Sequence, residues 1–410
     1  MLERRQKDET KEIRIHIQHV EDDVQAFQKR EKKEHKHWSI VTILFFVYAA
    51  VFFCSLFFIV EHSAGSEWIY SPAYALDIIR QNLENFYNFM IGNGTPGSID
   101  LQILRYLIVG LTGATLAACG ALMQGTLKNV LAGPSTLGIQ AGGTLGNLLY
   151  ILLMLDGTES AITVYHYEDL VAMQEQSTFF SRNIQQIFIL TGCIGACLLV
   201  LGVATIAGRG KVSSGGMVLT GMVFSSVISS FCGVAQYYMI VKNPSDPRIQ
   251  EIRSLSMGSL DRAYSLEHFL TMAVVLIPCI VIMTLCAGKV NQMSMGEETA
   301  YTMGVNVRKY KIIIMVFSTI MTAVTISYVG HIAFIGFMAP QLVRKSVGAD
   351  FRKLFPASVA AGAILLTLIY DMARFFDMTS SLNLFTSLIG SVALLIVLLR
   401  KKGGGRNGNR

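Results

Sequence analysis

The feature that most limits what this chain can become is a series of nearly uncharged apolar blocks. Most run for about 18–25 residues, the length needed to cross a hydrocarbon core of about 30 Å. Lipid offers the backbone no water, so every N–H and C=O must be satisfied within the protein, and blocks of this length must be helices. A large soluble helical core cannot explain them, because its helices would keep a polar face. Composition agrees: 52% of the 410 residues are hydrophobic and 15% are charged, against about 25% charged in ordinary soluble domains.

Ten spans follow, near 39–60, 101–124, 137–154, 184–207, 217–241, 269–286, 312–328, 331–343, 355–372 and 381–399. The eighth is the shortest and holds Pro340. The formal charge of +6 is distributed as topology rather than as a nucleic-acid-binding patch. Lys and Arg gather in the N-terminal tail, at Arg209/Lys211, at Lys289 with Arg308/Lys309/Lys311, at Arg344/Lys345/Arg352/Lys353 and at Arg400/Lys401/Lys402. With ten crossings all of these fall on one side, and the positive-inside rule makes that side, with both termini, cytoplasmic. The expected organisation is a charged cytoplasmic tail over 1–38, a transmembrane domain over 39–400 and a disordered basic tail over 401–410. The first segment is too long and too densely charged for a signal peptide.

Seven cysteines lie in or near the apolar blocks without metal-ligand spacing, which suits small buried hydrophobes better than a disulfide framework. The pairs His16/His19 and His35/His37 are expected to be solvated surface histidines, and no metal site is expected. Small residues share helix faces, as with Gly110, Gly113 and Ala117, or Gly142 and Gly146. Such faces allow close packing where lipid removes the hydrophobic drive between helices.

Three segments interrupt or abut the apolar helices with unusual polar motifs. The first contains Arg105, Gln124-Gly125, the turn Asn129-Val130-Leu131-Ala132-Gly133-Pro134, and Leu137-Gly138 leading to Gly142. The second is Met295-Gly296-Glu297-Glu298-Thr299-Ala300, then Met303-Gly304-Val305-Asn306. The third is Gly330 to Pro340, with Asp350 and Asp371-Met372-Ala373-Arg374 beyond it. In these motifs and their order the chain resembles the FecCD-type permease family, which serves ATP-driven importers of iron-siderophores, haem and vitamin B12. The resemblance spans about 40–400. It departs from the family at Gln102, Val130, Gln341 and Gly390-Ser391-Val392, which weakens an arginine cluster at the outer surface and leaves local turn geometry open.

The resemblance implies an all-α type II ABC importer permease fold in the plasma membrane of a prokaryote. It also implies a second permease subunit, two ATP-binding subunits and an extracytoplasmic substrate-binding protein. Asn129, Leu131, Ser213 and Ser214 would form a cytoplasmic gate; the plainer reading is that Asn129 and the serines cap helix ends. Gly296, Glu297, Glu298, Ala300, Gly304 and Arg308 would sit in a loop docking on an ATPase, where the alternative is a merely solvated loop. Met293, Met295 and Met303 favour docking, since a solvated loop has no need of them. Arg105 and Arg374 would meet carboxylates of the binding protein, or else snorkel or pair with neighbours such as Asp371.

No phosphate-binding loop is present, since Gly210-Lys211 is followed by Val212. ATP is therefore expected on partner subunits, and this chain is expected to bind no cofactor and catalyse no reaction. Two other readings stand beside the importer. An ion-coupled secondary transporter would need ionisable residues deep in its spans, and these are nearly absent. A membrane signalling subunit is disfavoured only by the coupling-loop resemblance.

Overall fold

The computed structural model describes residues 38–55, 80, 84, 98–154, 179–207, 214–242, 247–259, 266–376 and 378–404. Among these the regular structure is all helix, joined by short turns. Helix α1 covers Trp38–Ser55. It is followed by α2 (Ser98–Thr126), α3 (Ile139–Met154), α4 (Phe179–Ala207), α5 (Ser214–Lys242), α6 (Pro247–Met257) and α7 (Leu266–Ser294). Then come α8 (Glu297–Thr302), α9 (Val307–Val329), α10 (Ile335–Val347), α11 (Phe351–Phe375), a 3-10 turn (Thr379–Ser381) and α12 (Leu382–Gly404). The tail over 1–37 lies outside the described residues, and α12 continues to Gly404, into the segment expected to be disordered.

All ten expected spans find a helix. Eight are long and apolar enough to cross a membrane. The third and eighth are shorter. Helix α3 has 16 residues and α10 has 13, so at 1.5 Å per residue they reach only about 24 Å and 20 Å. Both follow non-helical backbone that is satisfied by protein. Before α3, Leu137 N donates to Gly133 O and Ser135 O accepts from Ser225 Oγ. Three bonds serve the segment before α10. His331 N donates to Leu255 O at 2.8 Å, Ala333 N to Asn383 Oδ1 at 3.1 Å, and Gln140 Nε2 to Ile332 O at 2.8 Å. Irregular backbone at membrane depth is tolerated only under such cover. Helix α6 lies in what the sequence presents as an outer loop. Its last turn accepts the amide of His331, and Gly258 just beyond accepts that of Leu382.

Helix α2 is the axis of the fold, with 89% of its spanning window buried against 11% for α1, 17% for α12 and 22% for α5. Tyr106 meets Tyr370, Gly113 meets Gly362 and Gly125 meets Phe351, so α2 and α11 run antiparallel. Gly120 lies against Gly336, and Gln124 against Gln341, so α10 runs parallel to α2. Gly142 and Gly146 meet Gly192 and Phe188, pairing α3 antiparallel with α4. These directions match ten alternating crossings. One end of the bundle therefore gathers the basic turns: the ends of α2, α7 and α10 and the starts of α9 and α11.

The helix contacts are backbone on backbone. A methyl group added at Gly113 would lie 2.2 Å from the Gly362 carbonyl oxygen, and one at Gly120 would lie 1.8 Å from that of Gly336. Six of the seven cysteines are buried in the same interior as free thiols, and Cys54 is exposed.

Gly113→Val should push α2 and α11 apart and cost about 1–3 kcal/mol, as overpacking does. Gly195→Ala, on a face of α4 with nothing within 4 Å, should be neutral or slightly stabilising. Thermal unfolding followed by size-exclusion fluorescence distinguishes them; equal midpoints would remove the close-packing account.

Candidate functional site

Three polar constellations decorate this frame. The first is the turn between α2 and α3. Lys128 takes a left-handed backbone conformation (φ 47°), and Asn129 N donates to Gln124 O at 3.2 Å. The Asn129 side chain then accepts from Leu131 N at 3.0 Å. Thr136 Oγ1 donates to Leu131 O and accepts from Gly133 N, each at 2.9 Å. This turn leans on α5, where Ser225 Oγ donates to Ser135 O at 3.2 Å and Gly221 lies directly under Thr136 and Leu137. Asn129 and Leu131 are thus brought together, half-buried, by a self-contained hydrogen-bonded loop. The Asn129 side chain thus closes a turn inside the loop, with Leu131 lying between the end of α2 and the start of α3. Ser214 opens α5 about two turns before Gly221, and Ser213 lies outside the described residues.

The second constellation joins α7, α8 and α9. Gly296 and Gly304 adopt φ 145° and 75°, which a side chain would strain. Between them Ala300 is fully buried, packed with Met293, Val305, Val307 and the half-buried Tyr310. Three of the six predicted loop residues, Gly296, Ala300 and Gly304, therefore shape the loop. The other three face outward. Glu298 and Arg308 are exposed, while Glu297, half-exposed, meets Lys311 Nζ at 2.6 Å. Met295, Tyr301 and Met303 are exposed apolar groups on the same element. Met293 differs from expectation: it points into the small core that holds α8, because α8 must bury something to stay against α7.

This loop is tied to the rest of the basic end. Asn291 Nδ2 donates to Asp350 Oδ1 at 2.5 Å, and Asn291 Oδ1 accepts from Phe351 N at 2.7 Å. Phe351 and Val290 both press on Gly125, where an added Cβ would lie 2.4 Å from each. Gly125 stands four residues before Asn129. Beside it Gln124 Oε1 accepts from Gln341 Nε2 at 2.8 Å, and Gln124 Nε2 approaches Gly336 O and Phe337 O at 3.4 Å. A residue that departs from the family pattern, the half-buried Gln341, thus completes an amide pair with the buried Gln124.

The third constellation lies at the opposite end. Asp371 on α11 accepts from Tyr106 Oη at 2.7 Å and from Ser55 Oγ at 2.5 Å, linking α1, α2 and α11. Arg374 Nη1 donates to Tyr106 Oη at 3.3 Å. Arg374 is half-buried within this network rather than standing clear of it. Arg105, one residue before Tyr106, is also half-buried, with its Nε enclosed and unpartnered among the described residues.

Comparison with known proteins settles the family. A sequence model of the FecCD transport family matches residues 50–400. The chain belongs to the FecCD transport family. It is 28% identical over 304 residues to a putative ABC transporter permease protein of Methanocaldococcus jannaschii, covering 73% of this chain and 81% of that one. It is 27% identical over 306 residues to the hemin transport system permease protein HmuU of Yersinia pestis, covering 74% and 83%. It is 27% identical over 323 residues to the iron-uptake system permease protein FeuB of Bacillus subtilis, covering 76% and 86%. Its fold is similar to a solved structure described as an inward-facing conformation of a putative metal-chelate type ABC transporter. The TM-score there is 0.63 at 20% identity, over 88% of this chain and 99% of that one. The FecCD chain is accordingly a multi-pass membrane permease subunit of the ABC-importer class, a transport protein and not an enzyme.

Sequence reasoning passed over the residues that wire this FecCD chain together. Asn291 is a polar side chain in the last turn of an apolar helix, and Asn383 sits near the start of another. That placement is the only signal either gives. Gln124 and Gln140 appear in the motifs, but nothing in spacing names their partners.

Asp371→Ala should leave the Tyr106 and Ser55 hydroxyls without their acceptor and cost about 1–3 kcal/mol. A clear fall in unfolding midpoint is expected, larger than for Tyr106→Phe, which leaves Asp371 its Ser55 donor. An unchanged midpoint for Asp371→Ala would show that the network does not hold α1 to the bundle.

Proposed function

We propose that this chain forms half of the translocation path of an importer for an iron chelate, haem or cobalamin. Its place is the plasma membrane of a prokaryote, with both termini in the cytoplasm. A second permease subunit completes the path, two ATP-binding subunits dock at the basic end, and an extracytoplasmic binding protein delivers cargo at the other. ATP is held by those subunits and not by this chain. The cargo class rests on the named relatives. The docking assignment rests chiefly on one observation, the α8 loop, a small folded knob with Met295, Glu298, Tyr301, Met303 and Arg308 turned outward.

The contacts around the knob support a mechanical reading. A push on α8 reaches the end of α7, on which it packs. From there Asn291 grips the start of α11, and Val290 and Phe351 bear on Gly125. Gly125 leads into the Asn129–Leu131 turn, which rests on α5 at Gly221 and Ser225. A displacement of the ATPase dimer thereby tilts the turn against α5, opening or shutting the cytoplasmic gate formed with Ser213 and Ser214. Close-packed interiors switch between discrete arrangements rather than deforming smoothly, which suits a gate. At the other end Arg105 and Arg374 offer guanidinium groups to carboxylates of the binding protein.

Co-reconstitution in vesicles with its ATPase and binding protein tests the reading. Uptake of ferric siderophore, haem or cobalamin should require ATP, and a Glu298→Arg/Arg308→Glu chain should lose it with its unfolding midpoint unchanged. Uptake driven by an ion gradient without any ATPase would overturn the proposal.

A further inference from the structure

The basic end carries a second feature that path, gate and docking knob leave unused. Between the start of α1, the last turns of α7 and the start of α11 lies an open cavity of about 420 Å³. Trp38, Thr284, Gly288, Lys289, Gln292 and Arg352 line it, with Leu285 at its lip. Two cations face the same space. The Arg352 guanidinium lies over the bare backbone of Gly288, where an added Cβ would come within 3.3 Å of Nε. Neither Lys289 nor Arg352 has a side-chain hydrogen bond or ion pair among the described residues. The nearby carboxylate, Asp350, is engaged by Asn291 Nδ2 and by the Arg352 backbone amide.

What leads to the cavity is as informative as what lines it. Along one face of α7, Leu270, Val274, Ile277, Val281 and Leu285 are 49%, 71%, 51%, 56% and 77% exposed. Their spacing of three or four residues sets them in one stripe, about 22 Å long at 1.5 Å per residue. The stripe ends at Gly288, Lys289 and Gln292. An apolar track of acyl-chain length thus runs into a pocket with two free cations, beside a tryptophan, the residue favoured where lipid meets water.

We propose that this cavity binds the phosphate headgroup of an anionic phospholipid, with an acyl chain lying along the α7 stripe. Lys289 and Arg352 hold the phosphate, Gln292 and Thr284 offer hydrogen bonds to headgroup hydroxyls, and Trp38 closes the side toward α1. Basic pockets between spanning helices recognise anionic lipids in this way. A free phosphate ion shares the headgroup chemistry but makes no use of the stripe. The bound lipid pins α1, which is otherwise little buried, to α7 and α11.

The chain has two tryptophans, so a Trp68→Phe chain leaves Trp38 as sole reporter. In nanodiscs, brominated phosphatidylglycerol should quench Trp38 more strongly than brominated phosphatidylcholine at equal mole fraction. Lys289→Gln and Arg352→Gln should each lower that preference about fivefold. On the unaltered chain, native mass spectrometry from mixed-lipid micelles should show retained phosphatidylglycerol, lost from the double variant. Equal quenching by the two lipids, or a preference that survives the double variant, overturns the proposal. So does displacement of the lipid by millimolar inorganic phosphate, which would assign the pocket to the free ion.

Discussion

Contact between bare backbones at Gly113/Gly362, Gly120/Gly336 and Gly142/Gly192 is the constraint on which the remaining structure depends. Lipid tails compete on equal terms with apolar side chains, so burying leucine against leucine gains little inside a bilayer. Helices there are held by dispersion at short range and by hydrogen bonds, and both demand close approach. Because α2 can touch α10 and α11 at glycine, it becomes a fully enclosed axis, while α1, α5 and α12 stay at the periphery with exposed apolar faces. The periphery is what meets lipid and other subunits.

Close packing also permits the two short helices. Helices α3 and α10 follow non-helical backbone, so the peptide groups before them would be costly if left unpaired. Before α10, His331, Ile332 and Ala333 find Leu255 of α6, Gln140 of α3 and Asn383 of α12; before α3, the Ser135 carbonyl finds Ser225 of α5. The broken spans are consequently where distant helices are cross-linked, and a shift of one is felt by several. Loops of this kind at mid-depth are rigid only as long as every partner stays in place. That couples the outer helix α6 to the heart of the fold.

How much of this was legible in the chain depended on the range of the interaction. Apolar length and charge placement gave the helices and their directions, because both are local properties. The short eighth span was legible, since its apolar run is brief and holds Pro340; that α3 starts only at Ile139, after a folded turn, was not. Gly138 and Pro134 announce a turn, but its depth is set by Gly221 and Ser225 on α5. Motif order located the α8 loop, yet Met293 ends one helix while Met295 and Met303 flank the next, so no single periodicity separates the buried Met293 from the exposed pair. Arg374 was readable as a docking residue or as a partner of Asp371. The group between them, Tyr106, lies 265 positions away from Asp371 in sequence and gives no sign of its role.

The same network bears on how transport is driven. A proton or sodium relay needs an acid that can exchange its ligand with a water-filled path. Asp371, near the end of α11, is the acid to weigh for that role among the described residues. Both its oxygens accept hydroxyl donors from other helices, Tyr106 on one side and Ser55 on the other. An acid so engaged braces α1 and α2 against α11, and releasing it at each cycle would loosen the bundle. At the basic end the arrangement is reversed: Glu298 and Arg308 are outward and exposed, on a knob whose interior is already packed. Charges turned inward for structure at one end, and outward for contact at the other, are what a subunit driven from outside itself requires.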